Sequence, residues 1–342
     1  MKRIGFGWVM RGHARWWLLF ALLLGAAGLY LWGLVDKPAR AKNGPIAITA
    51  TPLVLDGASP TRTELGALHF LGAWQLKGPS RSFGGLSAIH MMPDGQLLAI
   101  HDGAISFTFP QPGAGDIGTV KKLPVLKQTG EKRRYTMDSE ALVVDPDSGE
   151  IWVGFELLHR VCRYSPGFEK ALSCHDWPQM KDWPATESIE SMARLPDGRF
   201  LVISEGAPAE REGREAFLFA RDPTDPGQPA PIRMSYVPPA GYNPTDAVWI
   251  GDNQLLVLNR RATLYDGFTA IITVVDLSHM KPGALLMGRE VARLAPPVLA
   301  DNFEGLALDE KDGQRILWVI SDDNHLFFQR TLLLKFALPK KL

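Results

Sequence analysis

The stretch FEGLALDEKDGQRILWVISDD, Phe303 to Asp323, sets two apolar runs on either side of Lys311-Asp312-Gly313. An Asp-Gly step between apolar runs is a strong short-range signal for a β-hairpin. The same order of parts occurs four more times: GGLSAIHMMPDGQLLAIHD from Gly84, SEALVVDPDSGEIWVGFE from Ser139, IESMARLPDGRFLVISE from Ile189 and PTDAVWIGDNQLLVLNR from Pro244. Aligned on Gly85, Glu140, Glu190, Asp246 and Glu304, the units start 55, 50, 56 and 58 residues apart. After each hairpin about thirty residues remain, room for two more strands, so the period predicts an all-β propeller of four-stranded blades. Five repeats are visible, which allows five or six blades. The segments LHFLGAWQL (from Leu68) and TLLLKFAL (from Thr331) are suited to pair with one another and close the ring.

Composition agrees with many short strands. The 342 residues include 33 Gly and 26 Pro without a collagen-type period. Lys plus Arg equals Asp plus Glu, 37 each, so no broad positive field recruits nucleic acid.

Lys2, Arg3, Arg11 and Arg15 lead into an unbroken apolar run from Trp16 to Val35. Twenty residues at about 1.5 Å rise cover a bilayer's hydrocarbon core of roughly 30 Å. The sequence therefore predicts an N-terminal signal or anchor segment at 1–35, with a transmembrane helix at 16–35 and its N-terminus inside. A small-x-small site at Ala39 and Ala41 offers cleavage as the alternative. Either way the remainder is exported, to the periplasm or the extracytoplasmic face of the inner membrane. Residues 36–64 are expected to be a linker, and 65–342 the propeller domain. In an oxidising compartment Cys162 and Cys174, flanking a Ser-Pro-Gly loop, can form a cross-strand disulfide or stay as buried thiols.

In a propeller the residue before each first strand and the residue after each second strand share one face near the axis. The first set is Gly85, Glu140, Glu190, Asp246 and Glu304; the second is Asp102, Glu156, Glu205, Asn259 with Arg260, and Asp322 with Asp323. Up to nine carboxylates would meet at one channel mouth. Crowded carboxylates take up protons, pair with cations or bind metal, and oxygen ligands without a His cluster suit Ca²⁺. Glu140, Glu190, Asp246 and Glu304 are the candidate metal ligands, with Glu190 and Glu304 also candidate catalytic groups. The alternative is that each acid caps its own strand through backbone N–H groups. Arg260 is the local counter-charge and a candidate substrate contact. His101, beside Asp102, is a second candidate for substrate binding, and Arg133 and Arg134 could reach an anionic substrate. No G-x-S-x-G elbow, Walker loop or H-E-x-x-H occurs.

The combination of GGLSAI, DSEALVVDP, IESMARLPDGRFLVISEG, GYNPTDAVWI, DNFEGLAL, SDDN and the terminal TLLLKF resembles the bacterial phytase-like family, described as "esterase-like activity of phytase". The resemblance runs from about Leu65 to Leu342. It implies an exported β-propeller hydrolase in which mouth carboxylates hold metal ions or orient water, with Arg260 on a small-molecule ester or phosphate substrate. This chain departs from the pattern at Asn259, where an acid is usual, and at Cys162, where an aromatic is usual. A ligand-binding propeller without catalysis and a lactonase-type hydrolase are the competing expectations.

Overall fold

The computed structural model describes residues 42–79, 83–126 and 138–342. The expected membrane segment at 16–35, the cleavage site at Ala41, and Arg133 with Arg134 lie outside the described residues. Among the described residues no helix is long and apolar enough to cross a membrane.

The described chain is built from 23 strands. Four precede the first repeat: β1 (Gly44–Ala47), β2 (Thr49–Leu53), β3 (Glu64–Leu65) and β4 (Leu68–Lys77). Blade one is β5 (Leu86–Met91), β6 (Gln96–His101), β7 (Ile105–Pro110) and β8 (Ile117–Lys122). Blade two is β9 (Ser139–Val144), β10 (Ile151–Phe155), β11 (Arg160–Tyr164) and β12 (Ala171–Asp176). Blade three is β13 (Ile189–Arg194), β14 (Phe200–Pro208), β15 (Arg214–Phe219) and β16 (Ile232–Val237). Blade four is β17 (Asn243–Gly251), β18 (Gln254–Thr263), β19 (Gly267–Asp276) and β20 (Leu285–Leu294). Blade five takes β21 (Phe303–Lys311), β22 (Gln314–Ser321) and β23 (Leu332–Ala337) from the C-terminal end and β4 from the N-terminal side.

The expected ring closure is present: β23 runs antiparallel to β4, with Leu333 opposite Trp74 and Leu334 opposite Ala73. Inner strands β5, β9, β13, β17 and β21 each neighbour the next, and β21 returns to β5. Five blades therefore form a closed β-propeller. Blades three and four are also joined at their rims, where β16 and β20 pair in parallel.

The stretch expected to be a linker is shorter than its 36–64 range. β1 extends blade one on the edge of β8, and β2 extends blade five on the edge of β4. Pro45 and Pro52 lie in these two strands, as edge positions allow, because an outermost strand need not donate every N–H to a neighbour.

Five apolar clusters fill the wedges between adjacent blades. Leu97 and Ala99 of β6 pack toward blade five, while Leu98 and Ile100 pack toward blade two. A strand buried on both faces has no polar alternation, which is why LLAI, IWVG, FLVI, LLVL and LWVI are all apolar. Each such Leu or Ile contributes about 1.5–3 kcal/mol when fully buried. Gly305 lies where β21 crosses β5; a Cβ there would come within 3.0 Å of Ala88 Cα and of Ile89 N. In blade two, Cys162 of β11 faces Cys174 of β12 and the two form a disulfide.

Candidate functional site

Each inner strand contains one β-bulge at its mouth end. In β9 the pairing steps from Ser139↔Phe155 to Ala141↔Gly154, leaving Glu140 as the extra residue. The same step leaves Ser87 in β5, Glu190 in β13, Thr245 in β17 and Glu304 in β21. A bulge takes one residue out of the ladder and re-aims its side chain. The first ring at the mouth is thus Ser87, Glu140, Glu190, Thr245 and Glu304. Sequence alignment had placed Gly85 and Asp246 in it.

The second ring is Asp102, Glu156 and Asp322, each just after its second strand, with Glu205 inside β14 and Arg260 inside β18. Backbone bonds fix four of them, with Asp102 N–H to Gly85 O (3.3 Å), Glu156 to Asp138 O (2.8 Å), Glu205 to Ser188 O (3.0 Å) and Asp322 to Asn302 O (2.9 Å). Arg260 is set by its pairing with Asn243. Together the two rings hold seven carboxylates and one guanidinium among the described residues. Asn259, which stands where an acid was expected, is fully buried. Its side-chain oxygen accepts the Tyr236 hydroxyl (2.8 Å) and its amide nitrogen donates to Ile271 O (3.1 Å). Its environment is a buried polar network between blades three and four, not the mouth.

Arg260 bridges two acids. Nη2 donates to Glu205 Oε1 (2.7 Å), and Nη1 donates to Glu304 Oε1 and to Asn302 Oδ1 (2.9 Å). Asn302 Nδ2 also donates to Glu304 Oε1 at 2.8 Å. Nearby, carboxylate oxygens of Glu156, Glu190 and Glu205 all lie within 4.8 Å of one another, and so do those of Asp138, Glu140 and Glu156. Glu156 belongs to both triads. Asp138 had no signal in the sequence, because it precedes the repeat's anchor, Glu140, by two residues.

A family model described as "Phytase-like: Esterase-like activity of phytase" matches residues 81–325. The chain belongs to the phytase-like family. None of the curated proteins matches it in sequence. Among solved structures it is similar to Kuenenia stuttgartiensis hydrazine synthase, at 15% identity over 70% of this chain and 77% of that one, TM-score 0.38. It is also similar to the Cps50 (Swd1) β-propeller domain of Myceliophteria thermophila, at 8% identity over 89% and 98%, TM-score 0.38.

The electrostatics of this phytase-like mouth follow from burial and crowding. Burial pushes Glu190 well above the usual carboxylate range, reinforced by Glu140, Glu205 and Glu304. Glu140 is raised likewise, by burial and then by Asp102, Asp138 and Glu156. Burial brings Glu304 up to about 8 against the pull of Arg260, and Glu156 up to about 7 against the Ser188 N–H. Asp322 is raised by burial and Asp102. Burial opposes the charge on Arg260, yet Glu304 and Glu205 hold it firmly protonated.

Asp246 is placed differently from the alignment's expectation. Its Oδ1 accepts the Ala247 N–H and its Oδ2 the Leu306 N–H, both at 2.7 Å, so it ties β17 to β21. It lies one residue further along its strand than the first ring, on the wall of a cavity of about 520 Å³ that ends among the hairpin turns. Ile89, Leu142, Met192, Ala247 and Leu306, one from each inner strand, line that cavity. Asp246→Ala is expected to cost about 2 kcal/mol by stranding two buried N–H groups, while the thermal response to added Ca²⁺ stays as in the wild type. Unchanged stability with a lost Ca²⁺ response would instead put Asp246 among the metal ligands.

His101 sits beside the second ring, opposite Leu86 in the ladder. Its Nε2 is 3.0 Å from Nε2 of His325, in the loop after β22, and its Nδ1 accepts the Gly103 N–H at 2.7 Å. Burial lowers its pKa, partly offset by Asp102. His325 carried no sequence signal, since its partner is 224 residues away.

Proposed function

We propose that this protein is an exported hydrolase of carboxylic or phosphate esters, with its chemistry at the acidic, divalent-cation-binding mouth of the propeller. The observation that carries this reading is the convergence of Glu156, Glu190 and Glu205 beside Arg260. Three buried carboxylates that close, with a single guanidinium in the two rings among the described residues, lack sufficient counter-charge there. The donor set fits a hard cation, because every available atom is a carboxylate oxygen, as Ca²⁺ prefers. Glu140, Glu156, Glu190 and Glu205 would hold it. When bound, such a cation supplies positive charge against the charge that develops on the ester oxygens.

The chain's own groups account for proton handling and orientation. Glu190, whose affinity for a proton is raised, accepts one from the attacking water. Glu304, half protonated near pH 8, returns one to the departing alkoxide. Arg260 fixes Glu205 and Glu304 and presents its remaining edge to a carboxylate or phosphate oxygen. The Cys162–Cys174 disulfide supports export to an oxidising compartment, and the apolar segment at 16–35 supports an inner-membrane attachment.

Hydrolysis of p-nitrophenyl esters and p-nitrophenyl phosphate, with Ca²⁺ or with chelator, tests the reading. Glu190→Gln and Glu304→Gln are each expected to lower kcat/KM by about 10²-fold or more, and chelator to lower the wild-type Tm. Rates unchanged in both variants would overturn catalysis at the mouth.

A further inference from the structure

We infer that the mouth-side loops of blades four and five rest on a phospholipid bilayer, so that the acidic mouth opens toward the membrane surface. This orientation rests on the membrane attachment proposed above, not on hydrolysis.

Tyr265, Phe327 and Phe328 are the exposed aromatic residues among the described residues, and all three lie on these two loops, with Leu264 and Leu326 beside them. Leu264 and Tyr265 are fully exposed, and Phe327 and Phe328 are 73% and 62% exposed. The hairpin turns of the opposite face, such as Pro93-Asp94-Gly95 and Pro196-Asp197-Gly198, hold no exposed large apolar side chain. Others, such as Ile117 on β8 and Met287 on β20, stand singly on outer strands, where isolated apolar residues are ordinary.

Strand pairing lifts the first loop. β18 and β19 continue their ladder past Arg260 through Arg261↔Thr269, Ala262↔Phe268 and Thr263↔Gly267. At about 3.3 Å per residue, those three steps carry the tip about 10 Å beyond Arg260. Arg261 Nη2 donates to Asp266 Oδ2 at 2.8 Å, so these two charges enter a headgroup layer already paired. The second loop is held by its own hydrogen bonds. Asn324 N–H donates to Asp322 Oδ1 (2.7 Å), His325 N–H to Asp323 Oδ1 (3.0 Å), Leu326 N–H to Asp323 O (2.7 Å) and Gln329 N–H to Leu326 O (3.1 Å). The rings of Phe327 and Phe328 are 5.2 Å apart and nearly perpendicular. A loop fixed in this way loses little conformational freedom on docking, and apolar side chains with a Tyr among them suit the membrane interface.

The path of the chain selects a bilayer as the partner. Asn43 Oδ1 accepts the Lys122 N–H at 3.0 Å, and the adjacent Leu123 N–H donates to Ala104 O at 2.9 Å, in the turn that follows Asp102. The chain thus joins the propeller on its mouth side. Only the eight residues 36–43 follow the apolar run that ends at Val35, and eight residues span at most about 29 Å when extended. An apolar segment that enters a bilayer through so short a tether favours presentation of the mouth side, where the aromatic loops stand.

Site-directed spin labelling of the full-length protein tests the docking. The two cysteines of the sequence, Cys162 and Cys174, are joined in the disulfide. Tyr265→Cys, Phe327→Cys and, as an outer-strand control, Met287→Cys can therefore each be labelled selectively with a nitroxide, with far-UV circular dichroism to check folding. In phosphatidylcholine vesicles, the labels at positions 265 and 327 are expected to gain collisions with oxygen and lose those with a water-soluble nickel chelate. Their collision ratio should exceed that of the label at position 287 by about threefold or more. Adding Phe328→Asp to Phe327→Cys is expected to abolish that difference. Protein that fails to float with the vesicles would overturn the membrane attachment and the docking together. Protein that floats while all three labels meet the nickel chelate alike would overturn the docking alone. Labels at 265 and 327 shielded from both reagents without lipid would put a second copy of the chain on these loops and overturn the bilayer as partner.

Discussion

Replacing Arg260 by Met is expected to lower the stability of the metal-free protein by about 3–5 kcal/mol at pH 8, the usual consequence of removing one partner of a buried ion pair. Glu205 and Glu304 have only 7% and 9% of their side chains exposed, so water cannot replace the guanidinium. Asn302 would lose the Nη1 hydrogen bond as well. Met fills similar length, which keeps the cavity contribution small and leaves charge as the cause. Two further results follow from that cause. The deficit should shrink at pH 5.5, well below the value of about 8 to which burial raises Glu304, and shrink again with saturating Ca²⁺ if the rings hold the cation. Arg260→Lys should fall between, because one ammonium cannot reach Glu205 and Glu304 with separate nitrogens in a fixed fork. Urea denaturation at both pH values measures all of this. A loss below about 1 kcal/mol at pH 8 would show that Arg260 is not the counter-charge of the mouth.

The architecture was legible because propeller hairpins repeat two strong local signals, an apolar run and a Pro-Asp-Gly turn or a variant of it. Ring closure was legible for the same reason, as LHFLGAWQL and TLLLKFAL are apolar segments with no partner nearby in sequence. The first ring was misaligned in two blades, at Ser87 and Thr245. Thr245-Asp246-Ala247 looks chemically like Ser139-Glu140-Ala141, yet the bulge falls on Thr245 in one blade and on Glu140 in the other. A bulge shifts the register by one residue and leaves no mark in composition, so an acid aligned by likeness ended on a strand as a cap. β1 and β2 were hidden because they sit on sheet edges and contain proline; the partners of β1 lie 70 or more residues away. The disulfide needed the register between Cys162 and Cys174, which spacing alone does not supply.

Stability of the metal-free protein is expected to fall as pH rises from about 5 to 8.5, the reverse of ordinary acid denaturation. Glu156 and Glu304 have folded-state values near 7 and near 8, above the roughly 4.3 of an unfolded glutamate. Between those limits the folded state binds more protons than the unfolded one. The contribution is therefore complete below about pH 4.3 and is lost as pH passes through 7 and 8. Each group can remove at most about 1.4 kcal/mol per pH unit, so a decline of a few kcal/mol is expected after solvent screening. Glu140, Glu190 and Asp322, also raised by burial, act in the same direction. Saturating Ca²⁺ should flatten the profile, because a carboxylate that faces a cation no longer depends on a proton to stay buried. Glu156→Gln should flatten it without Ca²⁺, by removing the residue common to both acidic triads. Denaturant midpoints collected every half pH unit, with chelator and with Ca²⁺, separate these effects. A metal-free profile that is level from pH 5 to 8.5 would mean that the mouth carboxylates are solvated as ordinary surface acids. The claim of a charge deficit awaiting a cation would then fail.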